Sequence, residues 1–343
     1  MKKSKKKEII SFLEKVRKLV DPKIKELLNL YVDKKFEKLV NYQVETGGKK
    51  LRASLIVLSC LVCGGKTEDA LYPAAGIEIL HNYSLMIDDI IDHSFWRRRK
   101  KTCWKKFGNS MTECLGFIYS TAVFQAARFS KKPDLILDKL AEALKVLAQG
   151  EIMDILFEQS GRDEESYVQK NRYQEVNLDN YLEMVSKKTA ALIRAAMEIG
   201  GICGRATKKE ITALKNYGFN LGIAFQIKDD ILDIYGKEKK FGQRIGQDIR
   251  ERKLGSILTF YALKEMSSEN KKRLLAILKK KKITEKDVRR AIKMIKETGA
   301  KEKATKLGEE YVKRAKEHLR NLPRNKWTRL LEDIGDFVMK REK

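Results

Sequence analysis

The stretch from Ile77 to Lys106, IEILHNYSLMIDDIIDHSFWRRRKKTCWKK, sets Asp88, Asp89 and Asp92 into an otherwise apolar helical pattern. On a helix Asp88 and Asp92 are one turn apart and point within about 40° of each other; His81 and Ser84 fall within about 40° of Asp88. An imidazole, a hydroxyl and two carboxylates therefore line one stripe, while Ile79, Leu80, Met86 and Ile90 cover other directions. The polar stripe is followed at once by Arg97, Arg98 and Arg99.

Phe225 to Asp233, FQIKDDILD, repeats the spacing. Asp229 and Asp233 share a face with Phe225, and Gln226 lies about 60° round from it. Carboxylates this dense in apolar surroundings repel one another and are costly to bury without a cation. Hard oxygen ligands with open positions and neighbouring cations suit Mg²⁺ shared with a phosphorylated substrate better than a closed protein cage. Either segment alone reads equally well as a solvated acidic face. Two copies of one spacing, each set among Ile and Leu, argue against that.

The rest of the chain is consistent with a helical frame. Its 343 residues hold only four prolines, no Ser/Gly-rich linker and few alternating apolar and polar runs, which predicts one nearly all-α domain. The formal charge of +26, from 73 basic and 47 acidic residues, raises the on-rate of any polyanion without naming it. Lys/Glu over helices is also an ordinary solvated surface, so nucleic acid is not expected. Five scattered cysteines suit a reducing compartment. Cys60 and Cys63 have no second Cys or His pair to complete a zinc site. Leu51 to Cys63 is too short for a bilayer, which takes about 20 residues as a helix. A soluble protein is expected.

In chain order, Glu8 to Val20 and Lys23 to Tyr42 are expected as helices separated at Asp21-Pro22. Gly47-Gly48 then permits a tight turn, and Lys49 and Arg52 present cations on the first turn of the next helix, a seat for a diphosphate. One long helix is expected from Glu68 to about Arg97. Further helices are expected over Ser110 to Phe129, Leu135 to Gln159, Asp179 to Ile199 and Lys208 to Tyr235. Lys188 and Thr189 sit amid apolar residues, a place for an anion. Gly236, Gly242, Gly246 and Gly255 punctuate a charged stretch suited to a lid. Ser256 to Lys343 is expected to be packing.

These motifs, GGKKLR, DDIIDHS with its arginine pair, the Lys-Thr pair, FQIKDDILD and a lid carrying an Asp and a Lys, resemble the trans-isoprenyl diphosphate synthases of the polyprenyl synthetase family, over about Gly47 to Ala262. The resemblance implies a single-domain all-α bundle around a central cavity, the isoprenoid synthase fold. Residues 1–20 would be a basic N-terminal helix, about 47–262 the motif-bearing core and 263–343 C-terminal helices. It implies that Asp88, Asp92 and Asp229, supported by Asp89, Asp230 and Asp233, hold Mg²⁺, three ions with bound substrate. Arg97, Lys188 and Lys253 would grip an allylic diphosphate. Lys49, Arg52, His81 and Arg98 would bind isopentenyl diphosphate, and Lys188, Thr189 and Gln226 would serve the reacting carbon. Tyr83 and Ser84, five and four positions before Asp88, would form the floor that limits chain length. The implied product is geranylgeranyl diphosphate, with farnesyl diphosphate second, made by a cytoplasmic homodimer whose basic surface leaves room for peripheral membrane contact at product release.

Four departures from the family pattern stand out: Arg99 and Lys101 for Gly and Pro, Gly116-Phe117 for Gly-Asp, Glu151 for Gln, and in the lid Gln243 for Lys and Gly255 for Thr. The rival readings are a class I terpene cyclase, which needs no Lys49, Arg52 and His81 seat, and a non-catalytic subunit or basic nucleic-acid-binding helical protein, which needs no metal carboxylates.

Overall fold

The computed structural model describes residues 3–236 and 245–341. Gly242, Gln243 and Arg244, the middle of the expected lid, lie outside the described residues. The all-α expectation holds: among the described residues the only paired strands are β1 (Trp96–Arg97) and β2 (Lys100–Lys101). No described helix is long and apolar enough to cross a membrane. By its contacts the chain divides into two compact units.

The first unit comprises Met1–Lys145, Ala191–Asn220 and Arg314–Phe337. Helix α1 runs from Lys3 to Asn29 with Pro22 inside it, so the expected break at Asp21-Pro22 does not occur. Proline removes a helical hydrogen bond, but Val16, Val20, Ile24, Leu27 and Leu28 bury one continuous stripe on both sides of it. The chain leaves α1 through Tyr31 at φ 64 and a 3₁₀ turn, and α2 covers only Glu37–Glu45. Helix α3 (Leu51–Val62) is buried from Ala53 to Cys60. It touches α10 (Ala191–Cys203), where a Cβ on Gly200 would lie 2.3 Å from the Ile56 carbonyl oxygen.

Helix α4 (Thr67–Ile91) ends six residues short of the expected Arg97. Its end is a Schellman closure: the Ser94 N–H reaches the Asp89 carbonyl at 2.9 Å and the His93 N–H reaches Ile90 at 3.2 Å, with His93 left-handed at φ 51. The chain then folds into the β1–β2 hairpin and α5 (Cys103–Phe107). Helix α6 (Asn109–Arg128) packs on α4, with room made by Gly76 against Ala126 and by Gly116 against Tyr83. Helix α7 spans Pro133–Leu156.

The second unit comprises Val146–Ala190, Leu221–Lys313 and Val338–Lys343. It holds α8 (Ser166–Asn171), α9 (Leu178–Val185), part of α11 (Lys208–Tyr235), α12 (Gln247–Arg250), α13 (Ile257–Glu265), α14 (Ser268–Leu278) and α15 (Glu285–Lys296). Helices α16 (Ala300–His318) and α17 (Lys326–Lys340) begin and end in it respectively. The expected continuous helix from Asp179 is interrupted by a π-helical turn over Ser186–Ala190.

Candidate active site

In the first unit the glycine loop, α4 and the hairpin bring three of the four cations or imidazoles expected for one diphosphate together. Gly47 and Gly48 have φ 95 and 139, open to glycine. Arg98 donates to the Gly47 carbonyl, and a Cβ on Gly48 would come within 2.9 Å of its Nη1. Arg52 Nη1 lies 3.2 Å from His81 Nε2. Burial, then Arg52 and Arg98, push the His81 imidazole well below its ordinary range, so it is neutral at pH 7. Lys49 is exposed; the neighbouring Lys50, left-handed at φ 50, is the buried lysine, its Nζ 3.7 Å from Asp21.

Arg98 and Arg99 form the hairpin tip at φ 51 and 65, both left-handed, as a type I′ turn requires. Non-glycine residues there cost about 1 to 2 kcal/mol each. The departure at Arg99, an arginine where glycine is usual, thus carries backbone strain at the hairpin tip.

Arg97 is bonded to the first acidic motif itself: Nε donates to Asp89 Oδ1 at 2.8 Å and Nη2 to Asp88 Oδ2 at 3.0 Å. Asp89 is 1% exposed, its Oδ2 is buried with no partner, and burial lifts its carboxyl to about 6 despite Arg97. Asp92 is the C-cap of α4. Ser84 Oγ turns back to the His81 carbonyl at 2.9 Å, whereas the Tyr83 ring edge lies over Gly116, 3.0 Å from where a Cβ would be.

In the second unit the π turn carries Lys188 and Thr189. Gly150 and Gly222 let it be pinned: their Cβ atoms would sit 2.2 Å from the Lys188 nitrogen and 2.5 Å from the Ala190 Cα. Extra-residue turns of this kind often mark functional positions. Lys188 Nζ lies 2.9 Å from Glu151 and 2.5 Å from Asp154; Lys253 Nζ lies 2.8 Å from both Asp154 and Glu251. The two lysines hold the buried Asp154 carboxyl well below the usual range although burial opposes them. Thr189 donates to Gln226 Oε1 at 2.7 Å, Gln226 donates to Asp230 Oδ1 at 2.9 Å, and Asp230 Oδ2 accepts the Ile257 N–H at 3.0 Å. Asp233 accepts the N–H groups of Gln247 and Asp248 at 2.9 and 3.3 Å.

Burial raises Asp230 and Asp248 well above the carboxylate range and Asp233 to about 7. Asp229 is a third exposed and pairs with Arg341, 2.7 Å away. The segment Ser256 to Lys343, expected as packing, thus also supplies an ion pair to Asp229. Nothing local marks Arg341; it is one arginine in a basic chain. Asp154 and Glu251 were missed as partners of the lysines, since no periodicity links them. Gly255, expected as a Thr, is filled by Phe157, whose Cδ2 would lie 2.3 Å from a Cβ there.

These carboxylates fit a divalent cation. Hard oxygens with raised pKa values are groups for which the protein supplies too little positive charge, and Asp89 Oδ2 is an orphaned buried acceptor. Among the described residues no group of three or more His, Cys, Asp or Glu side chains is placed to hold a metal ion by itself. A Mg²⁺ held here would complete its shell with water and ligand oxygens, as that ion prefers.

Helices alone, two aspartate motifs of one spacing and a group of cations in each unit define an all-α enzyme for phosphorylated ligands. The polyprenyl synthetase family model matches residues 33–295. The chain is 35% identical over 325 residues to a short chain isoprenyl diphosphate synthase of Methanocaldococcus jannaschii, covering 93% of this chain and 94% of that protein. It is 33% identical over 309 residues to a geranylgeranyl diphosphate synthase of Saccharolobus solfataricus, covering 87% of each. The crystal structure of a geranylgeranyl pyrophosphate synthetase from Pyrococcus horikoshii superposes with a TM-score of 0.86 at 32% identity, over 98% of this chain and 100% of that one. The chain belongs to the polyprenyl synthetase family and is a prenyltransferase, of a family that generally uses Mg²⁺.

Proposed function

We propose that this chain condenses isopentenyl diphosphate with an allylic diphosphate to give geranylgeranyl diphosphate, with farnesyl diphosphate as the second candidate. The observation that carries it is the Arg52, His81 and Arg98 cluster at the Gly47-Gly48 loop, a seat for an anion within the first unit. A terpene cyclase, which binds one diphosphate, leaves that cluster without a ligand. The relatives' names support the product class. The family match runs across both units, which supports one catalytic domain.

Breaking the allylic C–O bond leaves an allyl cation and pyrophosphate. Mg²⁺ at Asp88, Asp92 and Asp229, three ions in all, would neutralise the leaving group. Asp89, Asp230 and Asp233 support those ligands. Arg97, Lys188 and Lys253, paired with carboxylates in the empty fold, would exchange those partners for diphosphate oxygens as substrate enters. Thr189 and Gln226, locked together by their hydrogen bond, turn fixed dipoles toward the developing cation. Lys49, Arg52, Arg98 and the neutral His81 orient isopentenyl diphosphate so that its double bond meets the cation before water does. The new C–C bond leaves a tertiary cation that loses a proton to the departed pyrophosphate and becomes an alkene, and no nucleophilic side chain is used.

Tyr83, seated on Gly116, is the floor for the growing tail, with Ser84 beside it. Exposed Met111, Phe117 and Phe124 on α6 support pairing with a second copy of the chain, which sedimentation velocity measures. We place the protein in the cytoplasm. Incubation with labelled isopentenyl diphosphate, Mg²⁺ and a five-, ten- or fifteen-carbon starter, followed by sizing of the dephosphorylated alcohols, tests the reading; a hydrocarbon from geranylgeranyl diphosphate alone would replace it with the cyclase. Tyr83→Ala should lengthen the product, and an unchanged product range would assign the floor elsewhere.

A further inference from the structure

We propose that Arg341 is a positioning residue that serves Asp229 as an internal counter-ion and competes with divalent metal for it. The proposal rests on the reading of Asp229 as a metal ligand. Arg341 lies one residue past α17 and is 8% exposed. Its Nη2 donates to Asp229 Oδ1 at 2.7 Å and to the Phe225 carbonyl at 2.9 Å, and its guanidinium carbon stands 3.8 Å from the centroid of the Phe225 ring. Phe225 and Asp229 are one turn apart, so all three contacts fall on a single face of α11.

The fit is incomplete. The Arg341 Nε is buried without a hydrogen-bond partner, and an unmade bond at a buried charged donor is unfavourable. The guanidinium stays where one of its donors is unsatisfied because the Asp229 charge and the ring offset that loss. A dication at the same carboxylate takes over its neutralisation and repels the guanidinium beside it. Metal and Arg341 therefore hold Asp229 in turn: the arginine keeps the carboxylate aimed in the empty enzyme, and gives it up on loading. Linkage is reciprocal, so whatever affinity Arg341 takes from the metal, the metal takes from Arg341.

The test is titration calorimetry on the full chain with Mn²⁺ in the presence of inorganic pyrophosphate. Arg341→Ala and Arg341→Gln, the second keeping length and a donor but not charge, should each bind Mn²⁺ about tenfold more tightly than wild type. Arg341→Lys, which keeps the charge without the stacked fork, should fall between. Amide exchange at Val338 to Lys340 of the wild-type chain should quicken on adding Mn²⁺ and pyrophosphate. Equal or weaker affinity in both neutral variants, with wild type binding normally and Asp229→Ala weakened, overturns the proposal alone and makes Arg341 a structural contact or a direct ligand of the diphosphate. Mn²⁺ binding that is indifferent to Asp229→Ala overturns the metal role of Asp229 and the proposal with it.

Discussion

The two DDxxD segments have the same spacing and are held in different ways. The first sits at the end of α4, where one side chain from the adjoining hairpin, Arg97, grips Asp88 and Asp89 and the third aspartate caps the helix. The second lies near the end of α11 and is held mainly by backbone: Asp233 takes the N–H groups of Gln247 and Asp248, and Asp230 takes that of Ile257. Its leading residue, Asp229, is met by Arg341, 112 positions away in sequence. A spacing that defines which carboxylates share a face thus says little about which of them are ligands and which are braces. In the first motif the brace is charge; in the second it is main chain.

The contrast predicts equal chemistry and unequal architecture. Asp88→Ala and Asp229→Ala should each lower kcat/KM by about 10³-fold, because each removes charge that preorganises the leaving group; steady-state turnover with a fifteen-carbon starter measures both. If one variant stayed near wild type, the two motifs would not act on the same diphosphate.

A smaller effect separates the braces. Asp230→Ala leaves the Ile257 N–H and the Gln226 amide without their acceptor and should cost about 2 to 3 kcal/mol in a urea melt without metal. Asp89→Ala leaves Arg97 with Asp88 and orphans no main-chain donor, so it should cost less than half as much. Similar losses would erase the distinction between main-chain and side-chain bracing.

The smallest effect is in pH. Asp233 and Asp89 are lifted to about 7 and about 6 in the fold, so the folded chain holds protons there that the unfolded chain releases near pH 4. Their contribution to stability is fully present below that lower value and is lost as pH rises through 6 to 7. Metal-free wild type should lose about 1 to 2 kcal/mol from Asp233 on going from pH 5.5 to 8, and Asp233→Asn should lose less. Metal affinity should run the opposite way, rising with pH as the carboxyls ionise. A parallel pH profile for wild type and variant would remove Asp233 from the account.

Much of the fold was legible locally. Helical periodicity placed α6 and α11 closely, and the Lys208 to Tyr235 boundaries match. It failed where tertiary burial outweighed a local signal, as at Pro22, whose helix survives because its apolar stripe is buried on both sides. It failed again where a backbone event has no composition of its own: the left-handed close at His93 and the π turn at Lys188. At the site, Thr189 bonds Gln226, Arg52 meets His81, and Arg98 bonds the Gly47 carbonyl. Lys49 is exposed with Lys50 buried in its place, because the helix starts at Leu51 and turns the earlier lysine outward.

The order of residues alone determined that the chain is helical with two carboxylate stripes, because helix periodicity and ionic chemistry both act over a few residues, and its motifs carried the resemblance to the prenyltransferase family. Which charges face those carboxylates was decided only by the tertiary structure. Asp154 between two lysines, Ile257 under Asp230 and Arg341 over Asp229 are pairings between distant positions, and a chain cannot announce them before it has folded.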